Sequence, residues 1–200
     1  SALLESQELG LELERRMLPF PPRHLAKDYL EDNPLGTVPL LVDGDTRMTE
    51  SSAIAQYLAA KADDNDLAVA PDEPDYGAYL DFLHHADATI TFPQTVYMRF
   101  ALFEKDKGLA EAGIAYADWF EKRLVKVENR LDGREFLCAD RFTMADVAIG
   151  YALWLTSMNG LQDRLTPRAK SYVDRLKQRD GFQRAVAAEK AAAKAAGLRE

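Results

Sequence analysis

Residues Asn33 to Ser52 read NPLGTVPLLVDGDTRMTESS, and three features of this stretch decide the fold. Pro39 cannot donate a main-chain hydrogen bond. The Val38–Pro39 bond belongs to the one class of peptide bond that is readily cis, a geometry that turns the N–H and C=O of Val38 outward. Asp43-Gly44-Asp45 supplies turn residues for a hairpin between an apolar run, Val38–Val42, and Thr46–Met48. Thr49-Glu50-Ser51 then opens a helix whose first N–H groups have no partner inside the helix and suit a carboxylate. Bare main-chain groups, a tight hairpin and an open helix mouth together make a binding corner for a small peptide-like ligand.

Working outward, the segment Ser1–Gly10 has helical spacing at Leu3, Leu4 and Leu9 and a glycine stop. Glu12–Leu18 alternates as a strand does, and Pro19, Pro21 and Pro22 break any regular element after it. A short helix is predicted over Leu25–Leu30, a buried strand over Val38–Val42, and a helix over Ser51–Ala60 with Ile54, Tyr57 and Leu58 toward the sheet. Residues 62–75 are rich in Asp, Pro and Ala and read as a linker. From Pro74 onward helical periodicity dominates, interrupted near Lys107-Gly108, Asp132-Gly133, Asn159-Gly160 and Asp180-Gly181. Pro93 removes a backbone donor and is expected to kink the first long helix. Thr143 and Asp146 have capping-box spacing, Thr166-Pro167 marks another helix start, and the alanine-rich tail is expected to form a fraying surface helix.

The chain of 200 residues, 47% of them hydrophobic, can bury a substantial core. The change in composition at the linker favours two small domains, 1–62 and 74–200. A net charge of −8 and a pI near 5.0 argue against attraction to nucleic acid or acidic membranes. No apolar run reaches about 18 residues, and no basic-apolar leader opens the chain. The single cysteine, Cys138, excludes an internal disulfide and a C-x-x-C pair, which fits a reducing, cytoplasmic setting; its place late in the helical part reads as packing. His84 and His85 are adjacent and no H-x-x-x-H spacing occurs, so a metal site is not supported.

V38-P39, T49-E-S-S52, the opening Q7-E-L-G-L-E-L-E14 and the segment D140-R-F-T-M-A-D-V-A-I-G150 together resemble the glutathione transferase superfamily, in its cytosolic, bacterial-type, theta- and beta-like branches. The resemblance spans essentially the whole chain. It implies an α/β plus all-α fold: a thioredoxin-like N-terminal domain, then an all-helical C-terminal domain, usually paired as a homodimer. In the family a strand and a loop precede the first helix. A chain opening at Ser1 is therefore expected to have further residues upstream, because a sheet lacking that strand leaves buried backbone groups unpaired at roughly 1 to 3 kcal/mol each.

The resemblance also assigns roles. Val38, beside Pro39, pairs with the cysteinyl backbone of glutathione, Ser51 and its N–H hold the γ-glutamyl carboxylate, and Glu50 faces the ammonium. A plain helix cap is the competing reading of Glu50-Ser51, outweighed by V-P eleven residues earlier. Arg23 or His24 answers the glycine carboxylate, the choice staying open. Asp81 is where some relatives reach across the dimer to the neighbour's glutathione, although an ordinary exposed helix aspartate fits the position as well. Phe92, Tyr97 and Trp154 are aromatic stock for a second-substrate pocket, with His84, His85, Arg99 and Phe100 nearby, and core packing is the alternative for each.

The family's thiol-activating residue lies in the loop before the first helix, and Ser1, at that loop's edge, is the one candidate present. A thiol of pKa about 8.5 is only about 3% ionised at pH 7, and lowering it by about 2 units, or about 2.7 kcal/mol, makes it mostly thiolate. The implied activity is a detoxifying transferase joining or exchanging glutathione thiolate with a hydrophobic electrophile. The alternative is a glutathione-transferase-like binding scaffold without catalysis.

Overall fold

A computed structural model describes residues 2–62 and 65–197. They form two compact units, one from 1–63 together with 178–200 and the other from 64–177.

In the first unit α1 (Ala2–Glu8) stops at Gly10, whose φ of +69° takes the left-handed turn that ends helices. Residues 11–19 follow without regular secondary structure, in place of the strand expected at Glu12–Leu18. Among the described residues no neighbouring strand offers them a ladder, and Leu11 and Leu13 pack against the core by side chain alone. Two short helices, α2 (Pro22–Leu25) and α3 (Tyr29–Asp32), replace the single helix expected over Leu25–Leu30. Pro22 suits a first helical position and starts α2 early; Ala26 then leaves helical geometry at φ −132°, ψ 74°.

The hairpin is β1 (Leu41–Asp43) against β2 (Thr46–Met48), antiparallel, with Leu41 opposite Met48, Val42 opposite Arg47 and Asp43 opposite Thr46. Gly44 takes φ +58° in the two-residue loop, as such loops require. β1 starts three residues later than the predicted Val38–Val42 and is not buried throughout. Leu41 faces the core while Val42 is 52% exposed, since successive side chains of a two-stranded ribbon point to opposite faces and only one face is covered here. That cover is α4 (Ser51–Lys61), whose Ile54 and Leu58, one helical turn apart, pack with Leu41, Met48 and Tyr57. Asp43 accepts hydrogen bonds from Tyr57 (2.7 Å) and Lys61 (2.5 Å), tying the loop end of the hairpin to the C-terminal half of α4. The last helix, α12 (Asp180–Ala195), buries Phe182 and Ala185 and packs on α1, so this compact unit includes the chain's far end as well as residues 1–62.

In the second unit the segment expected as a linker is tied down. Arg141 donates to the carbonyls of Asp66 and Ala68, both at 2.9 Å, and forms a two-pronged pair with Glu73 at 2.7 and 2.9 Å. That guanidinium holds the Glu73 carboxyl down to about 2. Beyond it come α5 (Tyr76–His85) and α6 (Phe92–Tyr97), separated by a π-helical turn over Ala86–Thr91 and followed by another over Met98–Phe103. The first widened turn lies just before Pro93, where the ladder lacks a donor, and the buried Gln94 side chain donates to the Ile90 carbonyl (3.0 Å) there. Gln94 also donates to Ala152 O (2.8 Å) and accepts from Asn159 (3.0 Å).

The remaining helices are α7 (Ala110–Arg123), α8 (Val125–Arg130), α9 (Met144–Trp154), α10 (Thr156–Asn159) and α11 (Pro167–Leu176). The capping box forms at the start of α9. Asp146 accepts the N–H of Thr143 (2.9 Å) and its hydroxyl (3.1 Å), and the same carboxylate takes Leu137 N–H (2.9 Å) and Tyr172 O–H (2.7 Å). Burial pushes the Asp146 carboxyl up while these donors pull it down. Thr166 caps α11 by accepting from Ala169 N–H at 3.3 Å. No helix of the described residues is long and apolar enough to cross a membrane.

Candidate functional site

The pairing of Leu41 with Met48 fixes where the corner lies. Val38 leaves the hairpin three residues before Leu41, and Ser51 follows three residues after Met48. Both arms emerge from the hairpin end away from its loop, and neither can run farther than about 11 Å from the paired positions. Asp43, held by Tyr57 and Lys61, keeps the opposite end of α4 at the loop, so the mouth of α4 opens beside Val38's arm.

Among the described residues, the main chain of Val38 and the side chains of Glu50 and Ser51 are unengaged at this end. The Val38–Pro39 peptide is cis, Val38 is 47% exposed, and among the described residues neither its N–H nor its C=O has a hydrogen-bond partner. Glu50, the N-cap of α4, is extended (φ −91°, ψ 119°) and gives no side-chain cap; its carbonyl accepts from Ile54 N–H at 2.9 Å. The side chains of Glu50 and Ser51 have no hydrogen bond or ion pair among the described residues. The first turn of an eleven-residue helix is thus left without a side-chain cap, next to an exposed carboxylate.

What aims Val38 is a pair of buried residues, Tyr29 on α3 and Asn33 at its end, which sequence reasoning missed. Tyr29 O–H donates to Thr37 O at 2.6 Å, and Asn33 Nδ2 donates to the same oxygen at 2.9 Å, with Thr37 Oγ1 at 3.2 Å and Tyr29 Oη at 3.3 Å. Asn33 Oδ1 accepts Leu35 N–H at 3.1 Å, and its carbonyl accepts Gly36 N–H at 2.9 Å. An asparagine before a proline signals such a turn, but nothing local to Tyr29 shows that its hydroxyl reaches eight residues ahead.

His24 sits exposed on α2, with no side-chain partner among the described residues. Ser1 and the side chain of Arg23 lie outside the described residues. The other residues singled out from the sequence belong to the second unit. Asp81, on α5, is ion-paired with Lys126 of its own chain, and the Lys126 ammonium also lies 5.3 Å from the Phe82 ring. Phe92 is exposed, with its ring edge-on to Tyr116 at 6.1 Å; Tyr97 is half-buried on the same helix; Trp154, half-buried on α9, tilts against Tyr151 at 5.8 Å. His84 is exposed, whereas burial first, then Lys126 and Arg123, push the half-buried His85 down to about 4 against the opposing pull of Asp81. Cys138 is buried, its thiol pushed up to about 11 by that burial, which suits packing and not nucleophilic attack. Among the described residues no group of three or more His, Cys, Asp or Glu side chains could hold a metal ion.

Residues 2–61 match the family described as glutathione S-transferase, N-terminal domain. The chain is 29% identical over 166 residues to glutathione S-transferase 2 of Schizosaccharomyces pombe, covering 80% of this chain and 70% of that one. It is 29% identical over 174 residues to glutathione S-transferase 3 of Zea mays, covering 82% and 77%. In fold it resembles the crystal structure of the glutathione transferase URE2P8 from Phanerochaete chrysosporium with oxidized glutathione, at a TM-score of 0.82, 20% identity, and coverage of 99% and 91%. Residues 2–61 thus match a glutathione S-transferase N-terminal domain, and the chain as a whole is similar to glutathione S-transferases in sequence and in fold.

Proposed function

We propose that this chain is a glutathione transferase that holds glutathione, its co-substrate, at the hairpin corner and joins the thiolate to a hydrophobic electrophile. The observation that carries the reading is the unengaged main chain of Val38 beside the uncapped start of α4. Glutathione is an extended peptide with a carboxylate at each end and one ammonium. Val38 N–H and C=O pair with its cysteinyl main chain past Pro39. The γ-glutamyl carboxylate takes the O–H and N–H of Ser51 at the mouth of α4, while Glu50 pairs with the ammonium. His24 or Arg23 meets the glycine carboxylate. In a homodimer Asp81 is the group that would reach a neighbour's glutathione, after exchanging its bond to Lys126.

Anchoring the tripeptide at three points fixes the sulfur, so the acceptor meets a nucleophile already positioned. The thiolate forms a carbon–sulfur bond at the electrophilic carbon, and the leaving group departs with the electron pair of the bond it breaks. Phe92, Tyr97 and Trp154 are proposed to line the acceptor's pocket. The expected roles are detoxifying and cytoplasmic.

The test measures conjugation of glutathione to a chlorinated nitrobenzene, alongside retention on immobilised glutathione. Turnover with retention supports the transferase. Retention without turnover, here or on a disulfide panel, supports a binding scaffold instead, and loss of both overturns the reading of the corner.

A further inference from the structure

The Thr37–Val38 peptide is planar and trans, the cis bonds being Phe20–Pro21 and Val38–Pro39. In a trans peptide the C=O and N–H point in opposite directions, so whatever holds the Thr37 carbonyl also aims the Val38 N–H. Two buried donors hold that carbonyl: Tyr29, 4% exposed, and Asn33, 3% exposed, at 2.6 and 2.9 Å. Together they engage both of its lone pairs.

The amide of Asn33 has one workable orientation. Leu35 N–H can only donate, so Oδ1 must face it, and Nδ2 is left for a carbonyl that can only accept. The Thr37 oxygen is drawn toward buried groups, and the Val38 N–H is thereby turned the other way, where no group of the described residues meets it.

We propose that Tyr29 and Asn33 are positioning residues for glutathione: they fix the Thr37–Val38 peptide plane so that the Val38 N–H stands ready for the ligand's main chain. This inference rests on the reading of the corner given above. Its physical content is preorganisation. A loop already locked in its binding geometry loses less freedom when the ligand arrives, and that difference appears as affinity for glutathione and not as a faster chemical step.

Three proteins are compared: the wild type, Tyr29→Phe, which keeps the ring and removes one donor, and Asn33→Asp, which keeps the shape and removes the other. Tyr29→Phe is expected to raise the KM and Kd for glutathione about 3- to 10-fold and Asn33→Asp by more, with kcat at saturating glutathione within about twofold of wild type. Amide exchange at Val38, fast in the free wild type, is expected to slow when glutathione binds and to slow less in Tyr29→Phe.

A folded Tyr29→Phe protein with wild-type affinity and wild-type protection at Val38 overturns the proposal, even if Asn33→Asp does not fold. A fall in kcat with unchanged KM also overturns it, because that is how a merely destabilised protein behaves. A wild type that does not bind glutathione, or binds it without any protection at Val38, removes the corner reading itself and this inference with it.

Discussion

Glu50 and Ser51 separate the binding role from the capping role of a helix start. A cap residue earns its conservation of structure through a side-chain bond to the first turn, and neither residue makes one among the described residues. Glu50→Ala and Ser51→Ala are therefore expected to leave thermal melting almost unchanged, within about 0.5 kcal/mol, while weakening glutathione binding. Binding curves set beside melting curves decide it, and a matching loss in both would return the pair to capping. His85 carries a different residue-scale prediction. Its folded pKa of about 4 lies below the ordinary 6.5 because of burial, with Lys126 and Arg123 adding to the effect and Asp81 opposing it. The folded protein keeps His85 neutral, whereas the unfolded chain takes up a proton below 6.5. Its contribution is fully present above pH 6.5 and is lost as pH falls toward 4, on the order of 2 kcal/mol after allowance for partial exposure. Denaturant unfolding at pH 7.5 and 4.5 should show a smaller difference for His85→Gln than for wild type, and an equal difference would exclude His85 as the source.

At the scale of elements, the start of α9 gathers its donors on one carboxylate. Thr143→Ala removes a hydroxyl and the cap, costing about 1 to 2 kcal/mol. Asp146→Ala strands the buried Thr143 and Leu137 N–H groups and the Tyr172 hydroxyl together, so its cost should be larger, on the order of 3 kcal/mol. Equilibrium denaturation checks the order, and equal midpoints for both variants and wild type would contradict it. This box was legible in the sequence because its chemistry is local, a hydroxyl and an acid three residues apart. The hairpin loop was legible for the same reason, since Gly44 at φ +58° is what a two-residue loop needs. Elements that depend on distant partners were not. Glu12–Leu18 has strand alternation, but alternation alone does not supply a neighbouring ladder. The run Val38–Val42 looks uniformly apolar, yet its pairing begins only at Leu41. Pro93 announced a disruption, but whether it kinks the helix or widens it into a π turn depends on Gln94 bridging Ile90 and Ala152, a contact fifty-eight residues away. At the candidate corner, the roles proposed for Val38, Glu50 and Ser51 come from the order of residues along the chain. The bonds of Tyr29 and Asn33 could not be read that way, because the fold decides which carbonyl they reach.

At the scale of the whole molecule, α1 and α12 meet in one compact unit, and an ion pair with a buried acid helps to hold the contact. Glu8, on α1, has a side chain only 5% exposed and receives Arg179 at 3.1 and 3.2 Å, across 171 residues of chain. The same carboxylate lies against the first turn of α12, a favourable place for negative charge. A Cβ added at Gly181 would sit 2.4 to 2.7 Å from the Glu8 carboxyl atoms, so glycine there keeps the space in which the acid lies. Propensity alone says that Gly181→Ala should stabilise α12, by up to about 1 kcal/mol. The contact says the opposite: the new methyl must push aside a carboxylate that is buried and held by Arg179, and loss of that pairing costs about 2 kcal/mol or more. Gly181→Ala is therefore expected to destabilise the wild type. In a Glu8→Ala background the obstruction is gone, propensity is left to act, and the same substitution should become neutral or stabilising. Denaturation of the four proteins of this cycle measures the coupling directly. A Gly181→Ala effect of the same sign and size in both backgrounds would mean that α1 and α12 are not joined through Glu8.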